Sequence, residues 1–145
     1  MKGIPKVGVY MTFFPFSVGL KDTVAKALDL MKENRIRHLP VVADGLPKSI
    51  ITEREINQVL SILKQESPDE SLLVEDACAI EAYMAEADTR LDIVLDEMVR
   101  RHIGSAIITK DGRLAGIFTY TDACHHFSEF LKKHYGPNKP GSDAA

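Results

Sequence analysis

A chain of 145 residues, 45% hydrophobic and 27% charged, has the make-up of an ordinary globular protein. It is long enough to bury about 70% of its unfolded surface in one compact domain. A net charge of −3 supplies no basic field for a nucleic-acid backbone or an anionic membrane, so any bound anion must be caught by a few placed groups.

The N-terminal stretch imitates a secretory segment, because Lys2 and Lys6 precede an uncharged run over 7–20. Pro15 interrupts that run, and Lys21-Asp22 close it without an A-x-A-like cleavage site. No stretch reaches the roughly 18–20 apolar residues of a membrane span. The expectation is an intact cytoplasmic protein with no membrane partner, and a leading strand near residues 7–18. Asp22 and Thr23 then open a helix, with Val24, Ala27, Leu28 and Met31 at i, i+3, i+4 and i+7. A buried strand over 39–42 follows, then an Asp44-Gly45 turn signal and a second strand. That strand runs into a second helix beginning near Thr52. Residues 66–71 (ESPDES) form a polar connection, and from 66 to 89 there are acids but no Lys or Arg, a solvated surface.

The chain then repeats itself. A shift of 67 residues carries 7–56 onto 74–123 without a gap. Nine positions are identical, among them Val7/Val74, Leu28/Leu95, Met31/Met98, Asp44/Asp111, Gly45/Gly112 and Thr52/Thr119. Apolar positions and turn residues coincide throughout: Leu91, Val94, Leu95 and Met98 repeat the helix, and residues 106–109 repeat the strand. The unit is β-α-β-β-α, with the second leading strand near 74–85, and the fold class is α/β. The expected organisation is repeat one over 1–65, a linker over 66–71, repeat two over 72–135 and a fraying Gly/Pro-rich tail over 136–145. Two units of about 60 residues are each marginal alone, so they are expected to share a core and to form a ligand cleft where they meet.

Each second strand ends in Thr-x-x-acid. Thr52 with Glu55 reads as a helix capping box, in which each partner satisfies a backbone N–H of the other. Asp122 is shorter and is expected to close such a box on Thr119 less well. A carboxylate held there can instead accept two hydrogen bonds from a vicinal diol such as a ribose, beside N–H groups that receive a phosphate. Gly116, where the first repeat has Ser49, permits a close backbone approach.

Other clusters read as structure. Cys78 and Cys124 form no CxxC or metal spacing and are expected as reduced, partly buried thiols. His125 and His126 point about 100° apart on a helix, and His134 lies about two turns on, so one metal ion would be hard to share. Arg100-Arg101-His102 complements the negative end of a helix, with an anion contact as the alternative. No phosphate-binding Gly-rich loop or nucleophile–base motif is present, so no enzyme is expected. Aromatic residues are not interleaved with Lys or Arg, which argues against single-stranded nucleic acid.

The ordered set resembles a tandem pair of cystathionine-β-synthase (CBS) domains, the Bateman module. In the first repeat it comprises Val9-Tyr-Met-Thr12, Ile36-Arg-His-Leu-Pro-Val-Val42, Asp44-Gly45 and Ile50-Ile-Thr-x-x-Glu55. In the second it comprises Ile103-Gly-Ser-Ala-Ile-Ile108, Asp111-Gly112 and Gly116-Ile-Phe-Thr-x-x-Asp122. The resemblance implies a non-catalytic regulatory module, with no required cofactor, that binds AMP, ADP, ATP or S-adenosylmethionine. It implies that Asp122 holds the ribose diol with Thr119 near the ribose–phosphate, and that Arg37 and His38 face phosphates. Ala79, Tyr83, Ser105 and Ala106 are the implied adenine contacts. The chain departs from the family at Glu55, at Cys78-Ala79 and at Ser49, so the Thr52/Glu55 site is the degenerate one and one competent site per chain is the expected count. The expected assembly is a homodimer packed through its helices and read by a separate effector protein. The rival expectation is a ligand-free structural or interaction module.

Overall fold

The computed structural model describes residues 3–13, 15–78 and 82–136. The first repeat contains α1 (Val7–Tyr10), β1 (Thr12–Phe13), β2 (Val18–Gly19), α2 (Val24–Asn34), β3 (His38–Ala43), β4 (Leu46–Thr52) and α3 (Glu53–Ile62). The second contains α4 (Val74–Ala77), β5 (Met84–Glu86), α5 (Leu91–Arg101), β6 (Ser105–Lys110), β7 (Arg113–Thr119) and α6 (Tyr120–Tyr135). None of the helices among these residues is long and apolar enough to cross a membrane. The implied adenine contact Ala79 and the tail residues 137–145 lie outside the described residues.

The periodic helices form where the apolar spacing placed them. Thr23 caps α2 by accepting from Lys26 N at 3.1 Å, and Val24, Ala27 and Met31 are buried. α5 buries Val94 and Met98. Both helices stop on a left-handed residue, Arg35 at φ 53° and His102 at φ 54°, whose N–H groups turn back to the last carbonyls. Both Asp-Gly signals make tight hairpins. Asp44 and Gly45 have φ of 54° and 75°, and Asp111 and Gly112 have 54° and 78°. Positive φ at both central residues is the turn geometry whose twist matches that of antiparallel strands. Each hairpin also shifts register at the same place, Val41/Val42 and Ile108/Thr109.

The two leading segments depart from expectation. Both begin as a single helical turn, α1 and α4, and the strands that follow are only two or three residues long. A four-residue turn is too short to repeat an apolar spacing: α1 buries Val7 alone and α4 buries Val74 and Ala77, so neither leaves a periodic signature.

Each leading turn is buried in the core of the other repeat. Leu72, Val74 and Ala77 pack with Val18, Val24, Leu39, Ile51 and Ile56 of repeat one. Val7 and Met11 pack with Ala85, Val94, Met98 and Phe118 of repeat two. The backbone confirms the exchange in equivalent pairs. Val24 N donates to Leu72 O and Leu91 N to Pro5 O; Val74 N donates to Asp22 O and Val7 N to Thr89 O. β1 also crosses over, pairing antiparallel with β7, so one sheet runs β1-β7-β6-β5 and the other β2-β3-β4. Gly8 sits where a Cβ would come within 2.8 Å of Ala87 O. Gly8→Ala is therefore expected to cost about 1–3 kcal/mol of stability, read from denaturant midpoints.

Between the sheets, Ile50 of β4, Ile107 of β6 and Ile117 of β7 form a third apolar cluster. α6 extends past the length of α3, and its Phe127, Phe130 and Leu131 are exposed. Cys78 is half-buried, but Cys124, expected to be partly buried, faces solvent on α6.

Candidate functional site

The structural equivalence of the repeats continues to the ends of their second strands. Glu53 N donates to Arg37 O and Tyr120 N to Gly104 O, both at 3.0 Å, so each second helix starts against the loop before its own repeat's first core strand. The Arg37-His38 and Gly104-Ser105 pairs meet at the seam between the repeats, where the His38 ring lies against Gly104. A cleft of about 1230 Å³ opens there, lined by residues of both repeats. Sites that bury small molecules span roughly 300–1,000 Å³, so a nucleotide is well within its capacity.

Six of the expected ligand residues line this cleft: Arg37, His38, Thr52, Glu55, Tyr83 and Ser105. Ile50, Ile103 and Ala82 add apolar surface, and Arg54 adds a second guanidinium. Among the described residues neither Arg37 nor Arg54 makes an ion pair. Other cations are committed: Glu97 on α5 takes both Arg100 and Arg101, and their hydrogen bonds, Arg100 first, hold its carboxyl down at about 2. Arg101 also lies 4.9 Å from the ring centroid of Tyr83, a cation–π contact. The phenol of Tyr83 is pushed up, chiefly by burial. Arg54 was not legible as a site residue, because inside a capping box its position reads as the outer face of a helix.

His38 is the unusual group. Its ring edge lies over Gly104, with Cε1 3.3 Å from where a Cβ would stand, and its Nδ1 is buried with no hydrogen-bond partner among the described residues. Burial, and then the charge of Arg37, hold the imidazole below its ordinary value. A group that is harder to protonate when folded adds stability that is present above its unfolded value of 6.5 and is lost as pH falls through its lower folded value. Urea midpoints are therefore expected to drop between pH 7.5 and 5.5 by more in the wild type than in His38→Asn.

The remaining expected residues stand elsewhere. Ala106 is fully buried in the core of repeat two. Thr119 and Asp122 start α6 outside the cleft, and there the expected weak cap is corrected: the box closes. Thr119 N donates to Asp122 Oδ2 at 2.9 Å, and Asp122 N donates to Thr119 Oγ1 at 3.3 Å. The other carboxylate oxygen, Oδ1, accepts from Thr12 Oγ1 of β1 at 3.1 Å. In repeat one, Thr52 N donates to Glu55 Oε2 at 3.2 Å and Glu55 N to Thr52 Oγ1 at 3.1 Å. Aspartate thus closes the same two-bond box as the longer glutamate of repeat one. The close approach at Gly116 is made by the chain itself: a Cβ there would meet Thr12 O at 2.6 Å, and Met11 also lies against it. Thr119→Ala and Thr52→Ala are each expected to cost about 1 kcal/mol by chemical denaturation, since both hydroxyls are caps.

Comparison with known proteins agrees with the two-repeat fold. A family model for the CBS domain matches residues 7–62 and again 74–129, the two repeats in turn. The chain belongs to the CBS-domain family. As a CBS pair it is similar to an uncharacterised conserved protein from Pyrococcus horikoshii, with 26% identity over 88% of this chain and 95% of that one and a TM-score of 0.76. The CBS domain pair of protein MJ0100, solved with 5′-methylthioadenosine and S-adenosyl-L-methionine, is 23% identical over 88% of this chain and 99% of that one, with a TM-score of 0.78. CBSX2, solved in complex with AMP, is 19% identical over 87% of this chain and 98% of that one, with a TM-score of 0.72. No curated protein matches the sequence.

Proposed function

We propose that this CBS pair is a non-catalytic regulatory module that senses an adenine nucleotide, AMP, ADP or ATP, in the cleft between its repeats. What supports the reading is the convergence of Arg37, His38, Thr52, Glu55, Tyr83 and Ser105 from both repeats on one cleft. The complexes of MJ0100 and CBSX2 with adenosine compounds lend it analogy at the level of fold. In this reading Arg37 and Arg54 attract the phosphates, and Ile50, Ile103 and Tyr83 cover the base. Two guanidinium groups that make no ion pair among the described residues favour a phosphorylated ligand over the cationic S-adenosylmethionine. Occupancy biases the relative arrangement of the repeats, and an effector protein reads that arrangement. The module works as a homodimer packed through its helices, with Phe127, Phe130 and Leu131 of α6 as the exposed apolar surface.

Thermal unfolding with each of AMP, ADP, ATP and S-adenosylmethionine tests this. A ligand at 100 times its Kd stabilises by about 2.7 kcal/mol, so nucleotide is expected to raise the Tm by several degrees. Glu55→Ala is expected to shrink that rise and Asp122→Ala to leave it, since only Glu55 lines the cleft. The opposite pattern would return the ribose to Asp122.

A second reading has its own observation. Both Thr-x-x-acid motifs are closed as capping boxes, which is what a ligand-free structural module needs. Absence of stabilisation by all four compounds is the result that reading expects.

A further inference from the structure

At the seam, β3 of one repeat meets the loop before β6 of the other through the edge of His38 and a residue with no side chain, Gly104. The imidazole is half-buried there with Nδ1 unpartnered among the described residues, and Arg37 is its neighbour in the chain. The other charged or titratable groups around the cleft are Glu53, Arg54 and Glu55 of α3, Tyr83 before β5, His102 after α5, and Tyr120 of α6. As it stands, burial and then the charge of Arg37 hold the ring below its ordinary basicity. An anion drawn between Arg37 and the second guanidinium, Arg54, reverses the second of those causes. It offsets the repulsion from Arg37 and attracts an imidazolium directly.

We propose that ligand binding in this cleft is coupled to protonation of His38, so that the site takes up a phosphate-bearing ligand together with one proton from solution. The proposal rests on the nucleotide reading above and adds its regulation. By linkage, affinity for a phosphorylated ligand rises as pH falls toward 6, and bound ligand raises the basicity of His38 by the same factor. A ligand of the same shape without phosphate carries no such coupling. The module then reports nucleotide and acidity together, through a residue that touches the other repeat.

Calorimetric titration of the full chain with AMP, at pH 6.5 in buffers of different ionisation enthalpy, counts the protons. Wild type is expected to take up a fraction of a proton more than His38→Asn, a difference that subtracts the titration of the AMP phosphate itself. Adenosine, used as the phosphate-free probe, is expected to give no difference between the two proteins. Equal uptake by wild type and variant with AMP would overturn the coupling while leaving the nucleotide reading intact, and so would equal wild-type excesses with AMP and adenosine. Should His38→Asn fail to fold, an NMR titration of the His38 ring in wild type, with and without AMP, decides the same point. An upward shift with AMP supports the coupling, and an unchanged titration overturns it. If none of AMP, ADP and ATP binds at any pH, the nucleotide reading itself fails, and the coupling fails with it.

Discussion

Val74→Asp is expected to unfold repeat one, although residue 74 opens the second copy of the sequence repeat. Val74 is fully buried in one cluster with Val18, Val24, Leu39 and Ile56, and no Lys, Arg or His among the described residues is buried to pair an introduced carboxylate. An unpaired charge in such a place costs several kcal/mol, about 3–5, which is a large part of the stability of a domain this size. Circular dichroism with urea unfolding checks it, and hydrogen exchange locates it: protection is expected to fall first in α2, β3 and β4. Val9→Asp serves as the control on the equivalent exchanged turn, because Val9 is 65% exposed and its substitution is expected to change little. Equal damage at positions 9 and 74 would contradict the exchange of leading turns.

Ile107→Asp is expected to be as severe and to act between the repeats. Ile107 has no exposed surface and packs with Ile50 and Ile117, the apolar cluster through which the two sheets meet. A carboxylate there either drives the sheets apart or unfolds both, again at about 3–5 kcal/mol. Because the cleft takes its lining from both repeats, nucleotide stabilisation is expected to vanish at temperatures where the variant still shows helix by circular dichroism. Retained nucleotide binding in such a variant would mean that one repeat alone holds the ligand.

The elements with many periodic positions were legible from sequence. Val24, Ala27, Leu28 and Met31 wrote α2, the Asp-Gly pairs wrote both hairpins, and Thr23, Thr52 and Thr119 marked their caps, because each signal is local. The exchange of α1 and α4 was not legible. It rests on one buried valine per turn and on backbone bonds between residues more than 45 positions apart, such as Val24 N to Leu72 O. The same exchange changes the reading of Asp122. Its environment depends on Thr12, 110 residues earlier, and no local pattern announces that β1 pairs with β7. Arg37 and His38 were found through the resemblance, whereas Arg54 needed the fold, since only the packing of α3 against the seam turns its side chain toward a cleft.

Isothermal titration of the full chain with AMP, ADP, ATP and S-adenosylmethionine, in wild type and Arg37→Ala, tests the central claim most directly. The expected result is one nucleotide per chain, with affinity weakened about tenfold or more in the variant, as the loss of a charge-assisted hydrogen bond implies. No heat of binding from any of the four compounds, with the wild-type chain folded, would contradict the sensor and leave a structural module whose two Thr-x-x-acid motifs serve only to start their helices.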